Sequence, residues 1–113
     1  MIFGAELLPK VLDGTKTMTR RKFRPKGRSY QPGRLCAVQP GRGKAAVAYI
    51  RLDSVHIEEL GRLTEDDARR EGFPNSVAFG KYWIGLYGDI DWQEEVYVLE
   101  FHVERPIRAS VGA

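Results

Sequence analysis

Alternation of hydrophobic and polar positions is clearest near the C-terminus of the chain. Over residues 95–103, large apolar side chains occupy every second position, and the positions between them carry two valines followed by Glu100 and His102. A period of two is typical of a strand with one buried face. The pattern therefore predicts a strand here, which Pro106 should end.

Two other segments predict strands that pair with each other. The residues from Leu35 to Val38 are apolar, and residues 45–56 alternate through Val47, Tyr49 and Val55. A proline and two glycines lie between these segments and predict a turn. We therefore expect the two strands to form an antiparallel hairpin.

Three other segments have helical character. Apolar residues at helical spacing before Gly14 predict a short helix that ends at this glycine. Thr64 as N-cap, three acidic residues after it and two arginines further on predict a helix within 63–72. A third helix is predicted to begin with Ser76 as its cap and to run to Gly88.

These elements predict an α+β domain built on a small, partly closed β-barrel with mostly antiparallel strands. A short strand is also expected at the end of residues 15–22, which are rich in β-branched threonine. A chain of 113 residues that is 42% hydrophobic and 29% charged has enough apolar side chains for one compact domain, and this excludes disordered and fibrous classes. We expect one domain over 1–105 and a C-terminal tail over 106–113.

Residue usage restricts the expected chemistry further. Cys36 is the single cysteine, so the chain cannot form an internal disulfide, and it offers only His56 and His102 as imidazole ligands. We predict neither a metal site nor a cofactor, and we expect Cys36 to be a buried small hydrophobe. Neither a signal peptide nor an apolar stretch of membrane-spanning length is present. A cytoplasmic protein without membrane contact is therefore expected.

The charge of the chain is divided into two blocks. The net charge is +3, but residues 14–52 contain eleven basic and no acidic residues, which leaves −8 for the other positions. A basic block of this kind attracts phosphates and predicts an anionic partner. The alternative is that these charges are solvated and only pair with the acidic part of the chain.

The basic block contains one segment of particular chemical interest. Residues 14–21, Gly-Thr-Lys-Thr-Met-Thr-Arg-Arg, combine an ammonium group, three hydroxyls and two guanidiniums. Such a set suits an anion or the polar edge of a base. The glycine and lysine spacing is not that of a Walker A motif.

On these residues the sequence resembles the ASCH domain family, and the resemblance extends over nearly the whole chain. It rests on five segments: Gly14-x-Lys16-x-x-Thr19-x-Arg21, the Pro32-Gly33 turn before a strand, residues 63–73, the Phe79-x-x-x-Trp83 helix and the strand over 96–101. The resemblance implies a PUA-like β-barrel with two or three short helices. It also implies RNA binding, which is proposed for the family, or an enzymatic activity on nucleosides or nucleic acid.

One small bacterial type within the family, an N4-acetylcytidine amidohydrolase, is similar in size and motif order. When its motifs are aligned with this sequence by order and spacing, its proposed catalytic Lys, Thr and Glu correspond to Lys16, Thr19 and Glu71. Residues three apart on a regular strand face opposite sides, so Lys16 and Thr19 can converge only if a turn or bulge intervenes. Alternatively, the three residues are an ordinary surface lysine, strand threonine and helix-terminal glutamate.

The sequence thus supports three hypotheses about function. The first is a basic cleft that binds RNA or another nucleic acid, and an arginine in Gly33-Arg34, where family members commonly have aspartate, favours it. The residues expected to contact the nucleic acid are Lys16, Thr17, Arg20, Arg21, Lys22, Arg24 and Arg34. The second is an amidohydrolase of a modified nucleoside that uses Lys16, Thr19 and Glu71. The third is a nuclease in which the same cations stabilise charge on a phosphoryl group. The oligomeric state stays open.

Overall fold

The computed structural model describes residues 1–23 and 30–106. Within them the chain forms three helices and four strands in the expected order: α1 (Leu8–Leu12), β1 (Met18–Lys22), β2 (Leu35–Val38), β3 (Ala48–Glu59), α2 (Glu65–Arg70), α3 (Ser76–Tyr87) and β4 (Glu95–Pro106), with a 3₁₀ turn at Leu60–Arg62. None of the helices in these residues is long and apolar enough to cross a membrane. The tail was predicted over 106–113: Pro106 is the last residue of β4, and residues 107–113 lie outside the described residues.

The four strands form one antiparallel sheet in the order β1-β4-β3-β2. The predicted hairpin is confirmed, because β2 and β3 pair over four residues each. Strand β4 lies inside the sheet, where it pairs with β1 on one side and with β3 on the other. An α+β fold with mostly antiparallel pairing is therefore confirmed.

The expected barrel is not confirmed, since the sheet of the described residues stays open with β1 and β2 at its two edges. The N-terminal segment lies between these edges. Ile2 forms a parallel bridge with Gln39 after β2, and the Ile2 carbonyl accepts a hydrogen bond from Arg21 Nη2 on β1 at 3.0 Å. Toward β1 the N-terminal segment thus makes a side-chain contact in place of strand pairing, and the edges at β1 and β2 do not join.

The main apolar core lies against one face of the sheet, below α1. Strand β3 contributes the fully buried Ala48, Ile50 and Leu52 to it. Of the residues in the predicted alternation, Val47 and Val55 pack against this core but are only partly buried, and Tyr49 is half-buried. Next to Leu52 the register of β3 on β4 shifts by one residue. This bulge turns the even-numbered residues that follow toward the other face of the sheet.

A second apolar core joins α2 and α3 to that other face. It contains Leu60, Phe79, Trp83 and Val96. Helix α2 has the predicted N-cap: Thr64 accepts a hydrogen bond from the Asp67 backbone, and the Asp67 carboxylate accepts one from the Thr64 backbone.

The cap of α3 differs from the prediction by one residue. Asn75 is the N-cap, because its side chain accepts a hydrogen bond from the Ala78 amide at 2.9 Å. Ser76 is the first residue of the helix, and its hydroxyl binds Glu65 instead. Asn and Ser are both good N-caps, so local propensity did not distinguish the two positions.

Gly72 determines how the chain leaves α2. Its φ of +103° lies in a region that residues with a Cβ rarely adopt, and an added Cβ would lie 3.3 Å from both Leu7 Cδ2 and Lys10 Cδ. The Gly72 carbonyl also accepts a hydrogen bond from Lys10 Nζ at 2.5 Å. The end of α2 is therefore held closely against α1 and the loop that follows it.

We predict that Gly72→Ala lowers the free energy of unfolding by about 1–3 kcal/mol, because alanine is strained at this φ. Gly85→Ala is the matched control: Gly85 lies within α3 with open space around it, so alanine there should raise stability by about 0.5–1 kcal/mol. Chemical denaturation of both variants measures the two changes. Equal effects of the two substitutions would contradict the role given to Gly72.

Candidate functional site

A cavity of about 390 Å³ lies between the N-terminal segment, β1, the end of α2 and α3. Its volume is within the range of small-molecule sites, roughly 300–1,000 Å³. Most of its wall is apolar and largely aromatic, and the aromatic residues are Phe3, Phe73, Phe79, Tyr82, Trp83 and Tyr87. Its polar lining consists of Lys16, Thr19, Arg20, Arg21 and Glu71.

Lys16 and Thr19 line the same cavity because Lys16 precedes the strand. The Lys16 amide donates to the Lys10 carbonyl and the Thr17 amide donates to the Arg70 carbonyl, both at 2.9 Å. These bonds tie the loop to α1 and α2, and β1 begins only at Met18. The strand geometry that would separate the two side chains therefore does not apply to them.

Lys16 and Glu71 form a buried ion pair. Lys16 Nζ donates to Glu71 Oε1 at 3.1 Å, to the Glu71 carbonyl at 2.6 Å and to the Met18 carbonyl at 2.8 Å. These three acceptors match the three protons of an ammonium group. The two side chains are only 2% and 3% exposed.

Burial lowers the pKa of Lys16 from its ordinary value, because removal from water disfavours the charged form. Glu71 opposes this effect through its negative charge, while the positive charges of Arg21 and Arg20 add to it. Lys16 thus combines an acceptor set for the ammonium form with surroundings that favour the neutral amine.

Arg20 lies beside this pair and is fully buried. Its Nη1 donates to Glu71 Oε2 at 3.0 Å, and its Nη2 donates to Glu58 Oε1 at 2.8 Å and to Asp67 Oδ2 at 3.3 Å. Three carboxylates therefore surround one guanidinium. Although Arg20 was expected to contact a nucleic acid, its charged group faces these carboxylates and not an open surface.

Arg21 contacts the Thr19 hydroxyl. Arg21 Nε donates to Thr19 Oγ1 at 3.2 Å, and the guanidinium lies 4.9 Å from the centre of the Phe3 ring. Burial lowers the pKa of Arg21 as well. Since Arg21 occupies one acceptor position of the Thr19 oxygen, the hydroxyl proton of Thr19 remains available to another acceptor.

The other residues expected to contact a nucleic acid lie elsewhere. Thr17 Oγ1 accepts from Arg70 Nε at 3.4 Å, and Thr17 does not line the cavity. Lys22 pairs with Glu94 at 3.4 Å, and its ammonium lies 4.4 Å from the centre of the Tyr87 ring. Arg34 lines a separate cavity beside β2, and Arg24 is outside the described residues. Of the predicted site residues that lie within 1–23 and 30–106, the structure thus brings Lys16, Thr19, Arg20, Arg21 and Glu71 together at the cavity.

Sequence reasoning missed two kinds of residue at this site. It did not find Glu58 and Asp67, the carboxylates that hold Arg20. It also did not predict that the aromatic residues of α3 line the cavity, although their helical spacing places several of them on one wall of it. The available signal was the helical spacing of Phe79, Tyr82 and Trp83.

Two donors beside the cavity lack partners within the described part of the chain. They are Nε of Arg20 and Nε1 of Trp83, both buried and both on residues that line the cavity. Both atoms are buried, so neither is exposed to a ligand in the cavity, and each costs free energy because it lacks a partner. Among the residues at 1–23 and 30–106, no group of three or more His, Cys, Asp or Glu side chains is arranged to hold a metal ion.

Comparison with known proteins gives a consistent family assignment. A model of the ASCH domain matches residues 1–104. Among curated proteins, none matches the sequence.

Solved structures with the same fold include an ASCH domain from Lactobacillus crispatus, with a TM-score of 0.75 and 17% sequence identity over 86% of this chain and 69% of that one. A protein from Enterococcus faecalis follows with a TM-score of 0.70 and 17% identity over 87% and 66%. A point mutant of ZmASCH from Zymomonas mobilis has a TM-score of 0.67 and 17% identity over 96% and 70%. At these identities the likeness shows the fold.

We predict that Glu71→Gln lowers the free energy of unfolding by about 3–5 kcal/mol, because it leaves the buried Lys16 without the carboxylate that pairs with it. Glu94→Gln is the matched control, since it removes a carboxylate from the partly exposed pair with Lys22 and should cost much less. Urea denaturation of the two variants makes the comparison. A loss for Glu71→Gln no larger than that for Glu94→Gln would show that the buried cluster has no special role.

Proposed function

Because the chain belongs to the ASCH domain family, we propose that its aromatic cavity binds a nucleobase and that Lys16, Thr19 and Glu71 hydrolyse an acyl amide on that base. The observation that carries the proposal is the convergence of these three side chains on one cavity with aromatic walls. The substrate class is a nucleoside with an N-acylated exocyclic amine, such as an N4-acylcytidine.

The walls favour a flat aromatic ligand. Phe3 lines the cavity from the N-terminal segment, and Tyr82 and Trp83 line it from α3. Aromatic side chains stack on the faces of bases, which is the usual way in which proteins hold an unpaired base.

In the proposed reaction, Thr19 Oγ1 attacks the carbonyl carbon of the acyl group while its proton passes to the neutral amine of Lys16. The carbon–nitrogen bond then breaks, and the base leaves as a free amine after it receives that proton. Water hydrolyses the acyl ester on Thr19, which releases the carboxylic acid and restores the hydroxyl. A threonine hydroxyl needs an adjacent base for such an attack.

The surroundings of Lys16 suit this task. A lysine serves as a base only in its neutral form, and burial favours that form. Glu71 holds the ammonium of Lys16 after the proton has been transferred, through the contact at 3.1 Å. The positive charge of Arg21, in contact with Thr19 Oγ1, stabilises negative charge on the reacting oxygens.

A second candidate is RNA binding without hydrolysis. The family is generally thought to bind RNA, and the block of eleven basic residues in 14–52 favours this function. Of the predicted phosphate contacts, however, Arg20 is enclosed by carboxylates and Lys22 is paired with Glu94. If the protein holds RNA by its phosphates, its affinity for RNA should fall steeply as salt is added. Cleavage of the bound RNA would favour the nuclease hypothesis.

We predict that the protein releases acetate from N4-acetylcytidine and that Thr19→Ala lowers the turnover by at least about 100-fold, since the nucleophile is lost. Liquid chromatography of the nucleoside products measures the rate.

Thr19→Ser is the matched control, because it keeps a hydroxyl group, and it should retain most of the activity. Lys22→Ala should leave the turnover unchanged. The amidohydrolase would be rejected if the wild-type protein does not hydrolyse the nucleoside. The second candidate would then be favoured if the protein binds RNA in a salt-sensitive manner, and if Lys22→Ala weakens this binding while Thr19→Ala does not.

A further inference from the structure

Arg20 connects three separate elements of the fold at the floor of the cavity. It reaches from β1 to Glu58 on β3, to Asp67 in the first turn of α2 and to Glu71 at the C-terminal cap of the same helix. We propose that Arg20 is a positioning residue for the Lys16–Glu71 pair: it fixes the Glu71 carboxylate against Lys16 and takes a share of its negative charge. The effect of Arg20 on catalysis rests on the proposed function, whereas its effect on the charge and position of the Lys16–Glu71 pair does not.

The two oxygens of Glu71 show how the charge is shared. Oε1 accepts from Lys16 Nζ at 3.1 Å and Oε2 accepts from Arg20 Nη1 at 3.0 Å. The positive charge of Arg20 offsets, at Lys16, part of the favourable potential that the Glu71 carboxylate produces there. Arg20 thereby weakens the hold of Glu71 on the Lys16 ammonium without any contact of its own with Lys16.

Glu58 and Asp67 adjust the strength of this effect. Both accept from Arg20 Nη2, at 2.8 and 3.3 Å, and both are about one-fifth exposed. Their negative charges balance part of the positive charge of the Arg20 guanidinium. The net positive charge that acts on Glu71 therefore depends on Glu58 and Asp67. Asp67 is in addition the capping-box residue of α2, and the same contact therefore links the charge of the cluster to the position of the helix that carries Glu71.

The cluster can therefore be changed in two opposite directions. Removal of Arg20 leaves the whole charge of Glu71 to Lys16 and should raise the pKa of Lys16. Removal of the charge of Glu58 leaves more of the Arg20 charge uncompensated and should lower the pKa of Lys16. A residue that only supports the fold would not produce opposite shifts.

The other charged groups around Lys16 stay in place in this comparison. Arg21 lies beside it on β1, and its charge lowers the pKa of Lys16 in every variant. Lys10 on α1 is engaged with the Gly72 carbonyl. Glu71 is the acidic group in direct contact with Lys16.

The test is an NMR titration of Lys16 in protein that carries ¹³C at the lysine Cε, for the wild type, Arg20→Met and Glu58→Gln. Lys16→Arg identifies the resonance. We expect the midpoint of Lys16 to rise by about one pH unit or more in Arg20→Met, which is the size of effect that a neighbouring charge produces, and to fall in Glu58→Gln. Glu94→Gln, which removes the carboxylate that pairs with Lys22, should leave the midpoint unchanged.

Shifts in the same direction in both variants, or no shift in either, would overturn the proposal. If Arg20→Met fails to fold, Glu58→Gln alone decides: a lowered midpoint supports the proposal and an unchanged or raised one rejects it. The pH dependence of N4-acetylcytidine hydrolysis is measured on the same samples. Opposite NMR shifts without hydrolysis would reject the proposed function and leave the role of Arg20 standing, while hydrolysis without those shifts would do the reverse.

Discussion

Burial of two cations in the interior is the constraint around which the rest of this structure is arranged. An isolated charge in an apolar interior is very costly, so Lys16 and Arg20 require carboxylates and carbonyl oxygens within hydrogen-bond distance. Glu71 supplies one carboxylate to both of them. Helix α2 carries Asp67 and Glu71 at its two ends, so its placement follows from this requirement as much as from apolar packing. The positive φ of Gly72 lets the chain turn directly after Glu71.

Stability alone does not explain such a cluster, because well-packed apolar residues of similar size are often as stable as a buried ion pair. Its position gives a better reason. The cluster lines a cavity with aromatic walls, which Thr19 lines as well. Perturbed titratable groups in a cavity are typical of functional sites. The proposed hydrolysis uses this arrangement directly, since it needs a lysine that can lose its proton and a carboxylate that receives the resulting charge.

The sequence predicted those parts of the fold that depend on neighbouring residues. The period of two over β4 and the N-cap at Thr64 are confirmed because short-range geometry controls both. The predicted barrel is not confirmed, because whether the two edges of a sheet join depends on contacts between distant segments, such as the bridge of Ile2 with Gln39, that leave no periodic signal. The same holds for Glu58, which meets Arg20 across 38 positions of sequence and does so only because the bulge after Leu52 reverses the faces of β3. The short motif containing Lys16 and Thr19 did identify two of the residues that share the cavity.

The central claim is that the cavity, and no other surface, receives the nucleoside. The chain has two tryptophans: Trp83 lines the cavity, while Trp92 is exposed and packs beside Gly61 and Gly80. Their indole N–H groups give separate NMR signals, which Trp92→Phe assigns. Addition of N4-acetylcytidine to the Thr19→Ala variant should shift the Trp83 signal in a saturable manner and leave the Trp92 signal in place. A saturable shift of Trp92 alone, or no shift of either signal at millimolar nucleoside, would contradict the account.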